Sequence, residues 1–114
     1  MKMTYETRGT VGLLTVDEAR IDASVAIQFK DRFRDLTQDG DGDVILDLSR
    51  VEFLDSSGLG AVVAARKLLG AGRILELAGL TPAVDKVMTL TRMDTVFSIH
   101  ADLGTALATR TDPP

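Results

Sequence analysis

Apolar residues along this chain alternate between two rhythms. Tyr5 to Thr7 and Val11 to Val16 read as strands, and the intervening Arg8-Gly9-Thr10 supplies a glycine turn, so the chain opens on a β-hairpin. Ala26, Phe29, Phe33 and Leu36 then recur at three, four and three residues. That spacing predicts a helix starting near Asp22 to Ser24, with Lys30, Asp31, Arg34 and Asp35 facing water. Val44, Ile45, Leu46 and Leu48 are nearly continuous, the pattern of a parallel strand covered on both faces. Leu59, Val62, Val63, Arg66 and Leu69 return to the helical period, and Gly70 and Gly72 stop that helix. Arg73 to Ala78 predicts another strand. Thr81-Pro82 predicts a capped helix start with Ala83, Val87 and Leu90 on the buried side, followed by a last strand at Val96 to Ile99 and a last helix at Leu103 to Ala108. Strands alternating with helices from residue 22 onward imply parallel pairing through right-handed crossovers. The expected class is α/β, a mixed and mostly parallel sheet with an N-terminal antiparallel hairpin strand and helices packed on it. Residues 1–110 are expected to form a single domain and 111–114 a disordered tail.

The stretch from Asp43 to Gly72, DVILDLSRVEFLDSSGLGAVVAARKLLGAG, reads as buried strand, extended link, double-serine turn and helix. It places two hydroxyls at a helix start near Ser56 or Ser57, where unpaired N–H groups and a partial positive charge would tolerate a phosphate. Asp and Ser ahead of an apolar helix are also ordinary capping residues. Capping alone does not require Gly58 and Gly60 in the first turn, each costing about 1 kcal/mol against Ala in a helix interior. Such a pair points to something that approaches this backbone closely. Asp55 fits helix-start electrostatics, and Leu59 falls in register with the buried side.

This run, VILDLSRVEFLDSSGLGAVVAARK, resembles the signature of the STAS domains, and within them the bacterial anti-sigma factor antagonists. Fainter echoes extend over nearly the whole chain. They are Ala19-Arg20-Ile21-Asp22-Ala23-Ser24 before Phe29 and Phe33, Ile74 to Ala78, Thr81-Pro82-Ala83-Val84, and Val96 to Ile99 before Ala106-Leu107. Ala19 stands where a glycine is common in the family. The resemblance implies that Ser56, the first serine of Asp-Ser-Ser-Gly, is phosphorylated by an ATP-dependent serine kinase that is also the anti-sigma factor. The unmodified form would bind that kinase and release the sigma factor or another regulated target, and a serine phosphatase would reset the switch. ATP and Mg are then expected on the kinase, with no cofactor on this chain. Asp22, Asp55, Ser57, Gly58, Leu59 and Gly60 are the expected partner-binding residues. For Asp22 a plain N-cap of the Phe29 helix is the competing role, and for Ser57 a cap of its own helix. Competing functions are a non-switching STAS scaffold, a soluble transporter-associated subunit, a small-ligand sensor without a cluster of polar pocket residues, or a serine-dependent enzyme.

Composition narrows these classes. The 114 residues are 45% hydrophobic and 26% charged, a globular balance, and 4% aromatic with no Trp, which leaves little for base stacking. A net charge of −4 without any Lys/Arg run would repel a nucleic-acid backbone, so direct nucleic-acid binding is not expected. The absence of cysteine removes disulfides and thiolate metal sites, and the polar Met1 to Arg8 start lacks a signal-peptide core. A cytoplasmic location is expected. No apolar run approaches the roughly 20 residues of a membrane span. Asp39, Asp41 and Asp43 mimic a calcium loop, but Val44 and Arg50 stand where its turn glycine and closing Glu belong, so no metal is expected. No phosphate-cradling loop ends in Gly-Lys-Ser/Thr. Ser56 as a hydrolase nucleophile would have to recruit His100, the only histidine, which is expected to be a surface or satisfied residue; the chain is not expected to be an enzyme.

Overall fold

The computed structural model describes residues 1–110; the tail expected at 111–114 lies outside them. Strands β1 (Met3–Arg8) and β2 (Val11–Val16) form the expected antiparallel hairpin, from Met3 opposite Val16 to Arg8 opposite Val11. Gly9 makes the turn at φ 61°, where a side chain would be strained. Beyond the hairpin, β2 pairs in parallel with β4 (Val44–Asp47), β4 with β6 (Leu75–Ala78), and β6 with β7 (Ile99–His100). The sheet order is therefore β1-β2-β4-β6-β7, the mixed, mostly parallel sheet that the pattern predicts. A separate parallel ribbon joins β3 (Arg20–Ile21) to β5 (Phe53–Leu54). Among the described residues, four α-helices complete the fold: α1 (Ala26–Thr37), α2 (Ser56–Leu69), α3 (Pro82–Leu90) and α4 (Leu103–Thr109).

Alternation within β4 sorts the two faces of the sheet. Val44 and Leu46 join Phe29 and Phe33 of α1, Val62 and Leu69 of α2, and Met88 of α3, whereas Ile45 turns the other way, with Val11, Leu13, Ala78 and Ala106 of α4. Each fully buried aliphatic or aromatic side chain contributes about 2 kcal/mol, so the larger cluster fixes where α1 and α2 lie. That placement in turn sets the entry of the chain into α2.

Four expectations need correction. Helix α1 begins at Ala26, not near Asp22 to Ser24, because residues 22–24 are spent in a side-chain-stabilised turn. In α3 the buried residues are Val84 and Met88, with Val87 half-buried; Ala83 is exposed and Leu90 is 73% exposed. Apolar residues at 83, 84, 87, 88 and 90 leave the phase of this helix open, and burial of Met88 decides it. Thr81 occupies the N-cap position, but its hydroxyl donates to the Val51 carbonyl (2.7 Å) instead of capping, which ties α3 to the link ahead of β5. The last strand is Ile99–His100, not Val96 to Ile99. Arg92 turns left-handed at φ 63°, Met93–Thr95 forms a 3₁₀ turn, and the Val96 and Phe97 amides donate back to Met93, so these residues are not extended. The start of β6 is shifted as well: it begins at Leu75, not Arg73, because Arg73 is used as a brace, donating to the carbonyls of Gly42 (2.8 Å) and Thr37 (2.9 Å).

Asp43 likewise serves the fold. One carboxylate oxygen accepts the Ile74 amide (2.8 Å), and the other pairs with Arg110, which also reaches Glu76 (3.1 Å). Glu76 in turn contacts His100 Nε2 (3.1 Å), so the single histidine is satisfied within a half-buried ionic chain beside α4.

Candidate functional site

The parallel ribbon positions the helix start. Ile21 is buried and Leu54 nearly so, while Arg20 and Phe53, adjacent in register, point outward. The Glu52 and Phe53 amides both donate to the Ala19 carbonyl (2.7 and 3.1 Å), which locks the segment before α2 against the loop before α1. A two-residue strand carries no periodicity, so the sequence pattern shows only an extended link before the double serine.

Asp55 closes the assembly. It is the N-cap of α2, in extended backbone at φ −92°, and its Oδ1 accepts the Gly58 amide (2.8 Å) while its Oδ2 accepts the Ala23 amide (3.1 Å). One carboxylate thus satisfies a helix-start donor and holds the Asp22 loop in place; a cap of this kind contributes about 1 kcal/mol. The capping role considered for Ser57 therefore falls to Asp55. Ser56 and Ser57 are the first two residues of the helix, both exposed, and among the described residues neither hydroxyl has a protein partner. Their amides are helix-start donors without an intrahelical acceptor, which suits an anionic group placed there.

Asp22 does not cap α1. The N-cap position is Val25, and no side chain caps it. Instead Asp22 Oδ1 accepts the Ser24 amide (3.0 Å) and hydroxyl (2.5 Å), and Oδ2 accepts Arg20 Nε (3.3 Å). The Ser24 hydroxyl, and after it Arg20, holds the Asp22 carboxyl below its ordinary value of 3.8. A depressed folded value means that this group contributes stability above the unfolded carboxylate value and loses it as pH falls through the lower folded one. The denaturant midpoint should therefore begin to fall below about pH 4. Asp22→Asn should shed part of that acid-side slope while leaving the slope near neutrality unchanged. An identical acid slope in the variant, measured by urea titration at several pH values, would contradict the assigned contacts.

The two glycines have different surroundings. A Cβ on Gly58 would sit 2.8 Å from the Ile21 carbonyl carbon and closer still to its oxygen, so the close approach inferred from the sequence is that of the Asp22 loop. Gly60 is exposed, and a Cβ there would meet nothing within 4 Å. Leu59, between them, is half-buried against the core. Asp55 thus ties Gly58 and, through the Ala23 amide, the Asp22 loop to the helix start; Ser56 and Ser57 stand there by chain position, with Gly60 one turn beyond Ser56 on the same helix. Sequence reasoning missed Arg20, whose guanidinium lies 4.0 Å over the Phe53 ring, and missed Phe53 itself. The only signal for Phe53 was a large apolar residue directly before Leu54-Asp55. Among the described residues, no three His, Asp or Glu side chains gather as a metal site, and no helix is long and apolar enough to cross a membrane.

Comparison with known proteins gives a consistent result. Residues 2–106 match the profile of the STAS domain. The fold is similar to an anti-sigma factor antagonist from Mycobacterium paratuberculosis, at 27% identity and a TM-score of 0.83, covering 95% of this chain and 92% of that one. It is similar to the anti-sigma factor antagonist SpoIIAA in its unphosphorylated form (21% identity, TM-score 0.75, 99% and 100% covered). The Bacillus cell fate determinant SpoIIAA in the phosphorylated form also matches (20%, 0.68, 96% and 100%). The murine anion transporter Slc26a9 contains a similar fold in 17% of its chain, at 16% identity and a TM-score of 0.76 over 88% of this one. At such identities the last three likenesses are of fold alone.

Proposed function

The chain belongs to the STAS domain family, and from that premise we propose that it is a phosphorylation-switched binding module of the anti-sigma factor antagonist kind. With Ser56 unmodified, the surface around the α2 start docks an anti-sigma factor serine kinase and frees the sigma factor or other target that the kinase held. Phosphate on Ser56 ends that binding, and a serine phosphatase restores it. The observation that carries this reading is the division of labour at the helix start. Asp55 caps, so the Ser56 hydroxyl is released from any structural duty and stands exposed. A serine needed for capping could not be modified without loosening its own helix. The phosphorylated form of SpoIIAA lends support, since its fold resembles this one.

An enzymatic role for Ser56 finds no oriented base at the site: the flanking Asp55 carboxylate is committed to two backbone amides, and the His100 ring is engaged by Glu76. A transporter-associated role rests on likeness of fold only. The deciding experiment is incubation with the anti-sigma factor serine kinases of the same genome, ATP and Mg²⁺, read by mass spectrometry of proteolytic fragments. One phosphate is expected on Ser56, and none on Ser56→Ala. Modification confined to Ser57, or kinases that neither bind nor modify the chain, would sink the reading.

A further inference from the structure

Four phenylalanines are present, and three of them, Phe29, Phe33 and Phe97, are buried at 4% exposure or less. Phe53 is the exception at 39% exposure, although its ribbon already has inward apolar residues in Ile21 and Leu54. Its exposed ring is not left loose. Arg20, its register partner, stacks over it at 4.0 Å, and Arg20 Nε is itself held by Asp22. Among the described residues, the remaining guanidinium nitrogens of Arg20 bond no acceptor. The result is a pre-ordered apolar surface with free cationic donors at its edge. Aromatic and arginine side chains of this kind dominate the energetics of protein interfaces, because they present much area with little rotamer freedom to lose.

We propose that the outward face of the β3–β5 ribbon, Phe53 with Arg20 stacked on it, is the anchor of the docking surface around Ser56, fitting a partner surface that offers an apolar slot beside a carboxylate. The occupant is the serine kinase of the proposed function, on which this inference rests. Chain continuity ties the two places together: Phe53 is three residues before Ser56, and Asp22, which holds Arg20, sits on the loop that Asp55 clamps through the Ala23 amide. The charge of Arg20 selects the complement, since a protein of net charge −4 presents here a cation with unused donors. The anchor supplies affinity while the neighbouring hydroxyl reports modification state, so binding and switching are carried by different side chains.

The test is calorimetry of the full chain against the purified kinase that modifies Ser56. Phe53→Ala and Arg20→Ala should each weaken binding about tenfold or more, the loss that marks an anchor residue, whereas Phe53→Tyr and the neighbouring exposed Glu52→Ala should stay within about twofold. With Phe53→Ala, phosphorylation of Ser56 should reach the same maximal rate at a higher kinase concentration, a split that damage to the helix start would not give. Arg20 is exposed, so Arg20→Ala keeps the test open should Phe53→Ala fold poorly. Wild-type affinity in both alanine variants, alongside weakened binding by Ser56→Asp, would overturn the anchor and leave the switch standing. A wild-type chain bound by no such kinase would overturn both.

Discussion

Gly58→Ala should lower stability by about 2–3 kcal/mol, even though Ala is the better helix former by about 1 kcal/mol. The added methyl would overlap the Ile21 carbonyl and come within 2.9 Å of Leu54 Cδ1. A carbonyl fixed in the β3–β5 ribbon cannot swing aside as the end of a side chain would, so either the ribbon or the α2 start must move. Gly60→Ala is the internal comparison. The same substitution two residues later meets open space and should stabilise by about 0.5 kcal/mol. Opposite signs from one chemical change would separate steric contact from helix propensity. For a chain of this size the first variant should melt roughly 10 °C lower and the second a few degrees higher. Equal shifts in both melting curves would mean that Gly58 is not pressed against Ile21. Should Gly60→Ala fold better yet bind a kinase less well, the close approach at Gly60 belongs to the partner.

How much of this was legible in the sequence follows from how far each element's signal extends. The helical face of Phe29 and Phe33 and the doubly covered strand Val44 to Leu46 are decided by several residues each, and both lie where the pattern places them. The mixed sheet follows from their order. The β3–β5 ribbon was invisible because four residues in two distant segments carry no period, and only their backbone pairing identifies them. The phase of α3 and the position of β7 failed for a different reason. Apolar residues there outnumber the buried positions, so composition permits several faces and a left-handed residue at Arg92 decides the path. At the site, residue identity was readable and assignment of duty was not. Asp55, Ser56 and Ser57 are all good caps, and what singles out Asp55 is that a two-oxygen acceptor also reaches the Ala23 amide, a contact 32 residues away in sequence. Gly58 was recognisable as a close approach, but which backbone comes close required the structure.

Phosphate on Ser56 should weaken binding of the serine kinase by about a hundredfold or more, the largest functional effect expected here. A phosphoserine adds nearly two negative charges and three acceptor oxygens at a position that is bare hydroxyl in the docking-competent form. Locally the modification should be tolerated, because Ser56 and Ser57 open the helix with amides that have no intrahelical acceptor and the helix start carries partial positive charge. The fold should therefore survive, with a melting temperature close to that of the unmodified chain. The cost falls on the partner instead. Its surface has to approach the same spot, fitted to a bare hydroxyl, so a dianion there has to be desolvated on binding without a matching cation on the partner, next to an Asp55 carboxylate already committed to two backbone amides. A hundredfold change corresponds to about 2.8 kcal/mol, within the range that charge mismatch at an interface supplies. Ser56→Asp should produce part of this loss, since one carboxylate carries less charge and fewer acceptors, and Ser56→Ala should bind nearly as well as the unmodified protein. The ordering of affinities, alanine and wild type above aspartate and aspartate above phosphoserine, is the expected calorimetric result. If the phosphorylated chain bound the kinase as tightly as the alanine variant, Ser56 would lie outside the interface, and the switch would have to be sought elsewhere.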